Sequence, residues 1–214
     1  MERRKPLITI VGCGPGSPEL ITPQALRAIE KAEVLVGPRH LLDLFSEHPA
    51  EKVAVGVNIE QVLKEIERLH EFRQVVVLVT GDPGLSSLAS PVLRHFGRET
   101  CEVIPGISSV QVAFARLGLE WSDARIIDAH GREPEITYSQ LAREKKIAIL
   151  AGRVQWTRRI IREIHNCGGG HRAYICENLT RPEEKVRQVK MEELERVEFS
   201  PQTVIVMVRE EPGL

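Results

Sequence analysis

The chain has 214 residues, with 29 Lys plus Arg against 30 Asp plus Glu and a formal net charge of -1. That balance argues against a protein that coats a polyanion, and nine aromatic residues are too few for stacking platforms on single-stranded nucleic acid. With 42% apolar residues and no uninterrupted apolar run of membrane-spanning length, the sequence reads as a folded chain that neither binds nucleic acid nor enters a membrane. The run from Met1 to Pro6 lacks a small-residue cleavage site, and Cys13, Cys101, Cys167 and Cys176 form no CxxC pair. Both features point to a reduced, cytoplasmic setting.

The first half alternates short apolar runs with amphipathic stretches. Residues 7–12 read as a buried strand ending in glycine. Thr22 then supplies an N-cap and Pro23 the first helical position, with Ala25, Leu26, Ile29 and Ala32 at helical spacing. Strands are expected at 34–36 and 53–55, with a short apolar helix at 41–45 between them. Asn58 and Gln61 form a capping-box pattern ahead of Val62, Leu63, Ile66 and Leu69. The continuous apolar run 75–79 suits a central strand of a parallel sheet. A helix over 85–96, a strand at 101–104 and a helix over 108–117 complete a series of βα units. The fold class is therefore α/β, with a mostly parallel first sheet.

After Gly118 the rhythm changes. Strands are expected at 124–129, 147–150, 174–177 and 203–208, with a helix over 155–165 ended by Gly168-Gly-Gly170. These patterns predict an N-terminal α/β domain over 1–118 and a C-terminal α/β domain over 119–214 with a mixed sheet.

Three glycine-rich turns follow three strands of the first half: Gly12-Cys-Gly-Pro-Gly-Ser-Pro18, Gly81-Asp-Pro-Gly84 and Pro105-Gly-Ile-Ser-Ser109. One such turn is ordinary βα chemistry, whereas three together suggest a ligand cleft at the carboxyl ends of the strands. A dinucleotide fingerprint fails on two counts. The first loop is G-x-G-x-G with Ser17 next, and no carboxylate ends the second strand. Pro15 and Pro18 also lack the N–H groups that a phosphate cradle uses. No P-loop pattern occurs.

The segment from Val11 through Gly-Cys-Gly-Pro-Gly-Ser-Pro-Glu-Leu-Ile-Thr to Pro23, with Val79-Thr-Gly-Asp-Pro-Gly84 and Val103-Ile-Pro-Gly-Ile-Ser-Ser109, resembles the hallmark segments of the tetrapyrrole methylase family. The likeness continues through Arg125-Ile-Ile-Asp-Ala-His-Gly-Arg132 and Cys176-Glu-Asn-Leu-Thr-Arg-Pro-Glu-Glu184, and so covers nearly the whole chain. Within the family, these runs are most similar to members that methylate C5 of precorrin-7 or its cobalt form in cobalamin biosynthesis. Some of those members carry a fused domain acting at C15 with decarboxylation, and this sequence resembles the stand-alone form.

The resemblance implies two α/β domains, an S-adenosylmethionine site between them, and a homodimer. By matching motif, the cofactor would touch Pro15, then Thr80, Gly81, Asp82 and Leu85, then Ser108 and Ser109. Leu150 and Ala151, at the end of a second-domain strand, would meet the adenine side. A separate C15-methylating, decarboxylating enzyme of the same pathway is an expected partner in function. Uroporphyrinogen, diphthine and ribosomal-RNA ribose methylation remain alternatives inside the family, and a non-catalytic nucleotide-binding module is the rival outside it.

A tetrapyrrole precursor is a polycarboxylate, and the charge distribution suits one. Arginines outnumber lysines 21 to eight, and residues 116–172 hold 11 basic against seven acidic side chains. Arg39, Arg132 and Arg153 sit just past strand ends, where bidentate pairing with carboxylate arms is feasible. Together with Gly14 and His130 they are the expected substrate contacts. His130 is also the one candidate for a catalytic group, as a positioning residue or proton acceptor. Cys13 lies in a glycine turn with no adjacent base, so it reads as packing and not as a nucleophile. No His/Cys/Asp cluster has metal-ligand spacing, so no metal site is expected, and any cobalt would arrive inside the substrate.

Overall fold

The computed structural model describes residues 8–210 apart from 57, 131, 132, 169 and 201. The chain divides into two compact units, Met1–Ser108 and Ser109–Leu214.

The first unit is built on five parallel strands in the order β3-β2-β4-β1-β5. These are β1 (Ile8–Gly12), β2 (Val34–Gly37), β3 (Glu51–Ala54), β4 (Val75–Val79) and β5 (Cys101–Ile104). Its helices are α1 (Pro23–Glu30), α2 (Arg39–Leu42), α3 (Ile59–His70) and α4 (Ala89–Phe96). β1 and β4 are buried along their whole length, as expected for central strands covered on both faces. Alternate residues divide the core. Val11, Leu35, Val76 and Leu78 pack with α1 and α2, while Ile8, Ile10, Val34, Val75 and Val77 pack with α3 and α4. The helices that follow the neighbouring strands β1 and β4 therefore lie on opposite faces. That divergence places the sheet's switch point at the carboxyl ends of these two strands, the usual ligand position in an open α/β sheet.

Local chemistry explains most of the element ends. Thr22 Oγ1 accepts the Ala25 N–H at 3.1 Å, and Asn58 Oδ1 accepts the Gln61 N–H at 3.2 Å, so both expected caps form. The helix expected from residue 85 begins only at Ala89. Ser86 has φ near +50°, and Ser87 Oγ donates to the Pro83 carbonyl while accepting the Ala89 N–H. The Pro83-Gly84 turn thus consumes the first turn of the apparent helical pattern.

The second unit carries α5 (Ser109–Leu117), α6 (Tyr138–Leu141), α7 (Val154–Asn166) and α8 (Met191–Leu194). Its strands are β6 (Ala124–Asp128), β7 (Lys146–Ala151), β8 (His171–Glu177), β9 (Lys185–Val189) and β10 (Thr203–Arg209), in the order β6-β7-β10-β8-β9. Only β6 and β7 pair in parallel, so the sheet is mixed. α6, α7 and α8 cover one face through Leu141, Ile160, Ile161, Ile164, Met191 and Leu194. α5 packs against β10 with Phe114 fully buried, which places it in this unit and moves the division ahead of the expected 118. Gly118, at φ +64°, ends α5 as the Leu119 N–H reaches back to the Phe114 carbonyl. β9 was not expected. Its sequence Lys-Val-Arg-Gln-Val is an exposed, charged edge strand, which protects the sheet from edge-to-edge pairing but hides the strand pattern. No helix among the described residues is long and apolar enough to cross a membrane.

Candidate active site

In the first unit the three glycine turns meet in space. Gly14 and Gly81 exchange two backbone hydrogen bonds, Gly81 N–H to Gly14 O at 2.8 Å and Gly14 N–H to Gly81 O at 3.3 Å. Gly12 and Gly106 lie back to back: a Cβ on Gly12 would stand 2.6 Å from the Gly106 nitrogen and 2.8 Å from the Gly81 oxygen. A Cβ on Gly106 would in turn collide with the Gly81 oxygen and the Gly12 main chain. Only hydrogen side chains allow this approach, and Gly14 and Gly81 also hold φ near +75° and +72°. Gly12 and Gly106 were not singled out by motif, although both stand inside the motifs.

Asp82 fastens the arrangement. One carboxylate oxygen accepts the Gly84 N–H at 2.8 Å, and the other accepts the Gly106 N–H at 3.0 Å. These two bonds hold the second loop on the third. Of the other expected cofactor contacts, Pro15, Gly81 and Ser108 are buried, Leu85 and Ser109 are half-buried, and Thr80 is exposed. Thr80 Oγ1 hydrogen-bonds His40 Nε2 at 3.1 Å, a partner from α2 that sequence spacing did not reveal. Arg39, next to His40, is exposed and makes no ion pair among the described residues. Cys13 is buried, and burial pushes its thiol up to about 12, so it is no nucleophile at neutral pH.

In the second unit the ends of β6 and β7 are laced together. Ala129 N–H donates to Leu150 O at 3.1 Å, and Arg153 N–H donates to Ala129 O at 2.8 Å. Leu150 and Ala151 are buried, with main chains paired across to Val204 and Thr203. His130 stands on this lacing: Asp128 Oδ1 accepts both its main-chain N–H at 2.8 Å and Nδ1 at 2.9 Å. Gly152 packs against His130, where a Cβ would be 2.3 Å from its Cα and 2.5 Å from its Cγ. Arg153 is exposed, lies 4.8 Å over the Trp156 ring, and makes no ion pair among the described residues. Arg132 lies outside the described residues.

The arginine surplus of this unit is partly spent internally. Arg116 pairs with Glu184, Arg159 with Glu133, Arg162 with Glu195 and Arg172 with Glu210. Glu184 also accepts the Thr180 N–H at 2.6 Å, and the Arg116 hydrogen bond holds its carboxyl below the usual range. Among the described residues no group of three or more His, Cys, Asp or Glu side chains could hold a metal ion.

The loops can be tested for the ligand that they suit. Neither Thr80–Leu85 nor Pro105–Ser109 contains Lys or Arg, so a polyphosphate would find no countercharge there. What the loops offer is main-chain N–H and C=O groups, hydroxyls and close backbone approach. These features suit a ligand held by main-chain groups and close backbone approach, without countercharge from Lys or Arg in the loops.

The family is more specific. Residues 7–195 match the model of Tetrapyrrole (Corrin/Porphyrin) Methylases, and the chain belongs to that family. It is 34% identical over 181 residues to the cobalt-precorrin-7 C(5)-methyltransferase of Salmonella typhimurium, covering 84% of this chain and 89% of that one. It is 31% identical over 206 residues to the probable cobalt-precorrin-7 C(5)-methyltransferase of Methanocaldococcus jannaschii, covering 94% and 97%. Among solved structures, the precorrin-6Y methylase of Archaeoglobus fulgidus superposes with a TM-score of 0.73 at 27% identity, covering 96% of this chain and 98% of that one. The uroporphyrin-III C-methyltransferase of Thermus thermophilus, complexed with S-adenosylhomocysteine, shares the fold with a TM-score of 0.79 at 24% identity, covering 94% and 92%.

Proposed function

We propose that this protein is an S-adenosylmethionine-dependent methyltransferase that acts at C5 of a corrin precursor, precorrin-7 or its cobalt form, in cobalamin biosynthesis. The observation that carries the reading is the 31–34% identity to C(5)-methyltransferases over 84–94% of the chain.

S-adenosylmethionine, when bound, supplies a methyl group on a positively charged sulfur, open to in-line displacement by an electron-rich carbon. The chain's part is to orient and to exclude water. Gly14, Pro15 and Gly81 form a rigid backbone wall, Thr80 and Ser109 offer hydroxyls, and Leu85 supplies apolar cover. Ser108 lies close enough to Gly81 that a Cβ there would be 3.8 Å from the Ser108 Cα. Asp82 holds these walls at a fixed spacing through its bonds to Gly84 and Gly106. Arg39 and Arg153 have guanidinium groups uncommitted to any ion pair among the described residues, which suits them to carboxylate arms of the macrocycle. Leu150 and Ala151 contribute main-chain surface, since their side chains are buried in the sheet. Four free cysteines support a cytoplasmic setting, and family likeness supports a homodimer and a separate enzyme for the C15 step.

Calorimetry with S-adenosylhomocysteine tests the cofactor half of this reading. Stoichiometric binding is expected, weakened at least tenfold by Asp82→Ala. Tight binding of ATP or NAD with no S-adenosylhomocysteine binding would overturn it.

A further inference from the structure

We propose that His130 Nε2 accepts the proton released by carbon methylation, with Asp128 as the positioning residue that sets its tautomer; this rests on the function proposed above. Replacing a carbon-bound hydrogen with methyl forms a C–CH3 bond and breaks an S–CH3 bond, whose electron pair stays on sulfur. The C–H electron pair returns to the macrocycle, and one proton must leave. An acceptor is therefore required even though no protein nucleophile is.

The geometry around His130 suits that role. A carboxylate oxygen only accepts, so the 2.9 Å contact from Asp128 Oδ1 places the proton of the neutral ring on Nδ1. Nε2 then presents a lone pair. It has no partner among the described residues, and the side chain is 43% exposed. The second contact from the same oxygen, to the His130 main-chain N–H at 2.8 Å, fixes the backbone that carries the ring. Gly152 packs against His130, with a notional Cβ 2.3 Å from its Cα and 2.7 Å from its Cδ2, so His130 can sit this close to the β7–α7 turn only because that residue has no side chain. A surface histidine of no consequence does not need a carboxylate on Nδ1, a bonded main chain and a closely packed glycine together. A general base of this kind contributes about 10²–10⁴ in rate.

The first measurement is independent of turnover. ¹⁵N NMR of the ligand-free protein should show His130 protonated on Nδ1, and Asp128→Asn should mix the two tautomers. For the enzyme, His130→Gln should lower kcat about 100-fold or more, with S-adenosylhomocysteine affinity and substrate KM within a few-fold of wild type. His130→Ala should regain activity with added imidazole, which a structural role would not allow. A wild-type kcat in His130→Gln, or an Nε2-protonated ring in the wild type, overturns the proposal. A wild-type protein that transfers no methyl to the macrocycle overturns instead the function on which it rests.

Discussion

Asp82 accepts the N–H of Gly106 at 3.0 Å, and through that bond the turn after β4 is tied to the turn after β5. The same carboxylate accepts the Gly84 N–H, so one side chain satisfies main-chain donors in two loops. Removing it leaves those donors unpaired, at a cost of about 1–3 kcal/mol for each one that water cannot reach. Asp82→Ala should therefore lower thermal stability and weaken S-adenosylhomocysteine binding together. Asp82→Asn keeps acceptor capacity on one oxygen and should lose less of both. Differential scanning fluorimetry with and without S-adenosylhomocysteine reads both effects, and equal behaviour of the two variants would count against the bridging role.

Gly12 and Gly106 make a sharper pair of substitutions. A Cβ at either position meets main chain and not the end of a flexible side chain, so relief requires the loops to separate. Gly106→Ala should cost about 1–3 kcal/mol, the usual range for overpacking, and should abolish measurable cofactor binding. Gly56→Ala, where nothing lies within 4 Å, is the control and should leave both unchanged.

Among the described residues Arg39 and Arg153 make no ion pair, whereas Arg159 and Arg172 each do. Arg39→Ala and Arg153→Ala should each raise substrate KM about tenfold, the loss of one charge-assisted contact, with little change in S-adenosylhomocysteine affinity. Arg159→Ala and Arg172→Ala remove exposed surface pairs, worth about 0–1 kcal/mol, and should alter neither. Steady-state kinetics on the macrocycle separates the two groups. A KM effect confined to Arg159 and Arg172 would contradict the assignment.

Glu184 gives the second unit a pH dependence of known sign. Its carboxyl is lowered from 4.5 chiefly by the hydrogen bond from Arg116, so the stabilisation is present above the unfolded-state value and is lost as pH falls through the folded one. The stability gap between wild type and Glu184→Gln should thus be widest near neutrality and close as acidification takes the pH below the ordinary carboxylate range. Urea melts across that range check it, and a gap that widens in acid would show the sign to be wrong.

Thiol labelling distinguishes packing cysteines from reactive ones. Cys13 and Cys176 are pushed up to about 12 by burial, Cys101 is raised by the same cause, and Cys167 is exposed. Near pH 8, a disulfide reagent should label about one thiol rapidly in the native protein and all four in denaturant. Rapid native labelling of Cys13 would restore it as a reactive group.

What the sequence made legible was local. Glycine at strand ends, Pro23 after Thr22, and the unbroken valine run of β4 each state their structure within a few neighbours. The Gly12–Gly106 contact and the Asp82–Gly106 bond join residues far apart in sequence, so the loops could be recognised as turns but not as one knot. Likewise the Arg116–Glu184 pair spans 68 positions, and nothing near Arg116 shows that its charge is already committed. β9 escaped notice because a charged edge strand carries no alternation to read. Asp128 and His130 stood two residues apart in plain view. Their spacing on a strand end was the available signal, and the bond between them was not inferred from it.

The central claim is the position of the transferred methyl group. The purified protein would be incubated with precorrin-7 or its cobalt form and S-adenosylmethionine carrying a ¹³C methyl, and the product examined by mass spectrometry and NMR. The account predicts one added methyl, correlated to C5 of the macrocycle and absent when S-adenosylmethionine is omitted. A methyl group at another carbon, or on uroporphyrinogen III but not on the corrin precursor, would contradict it.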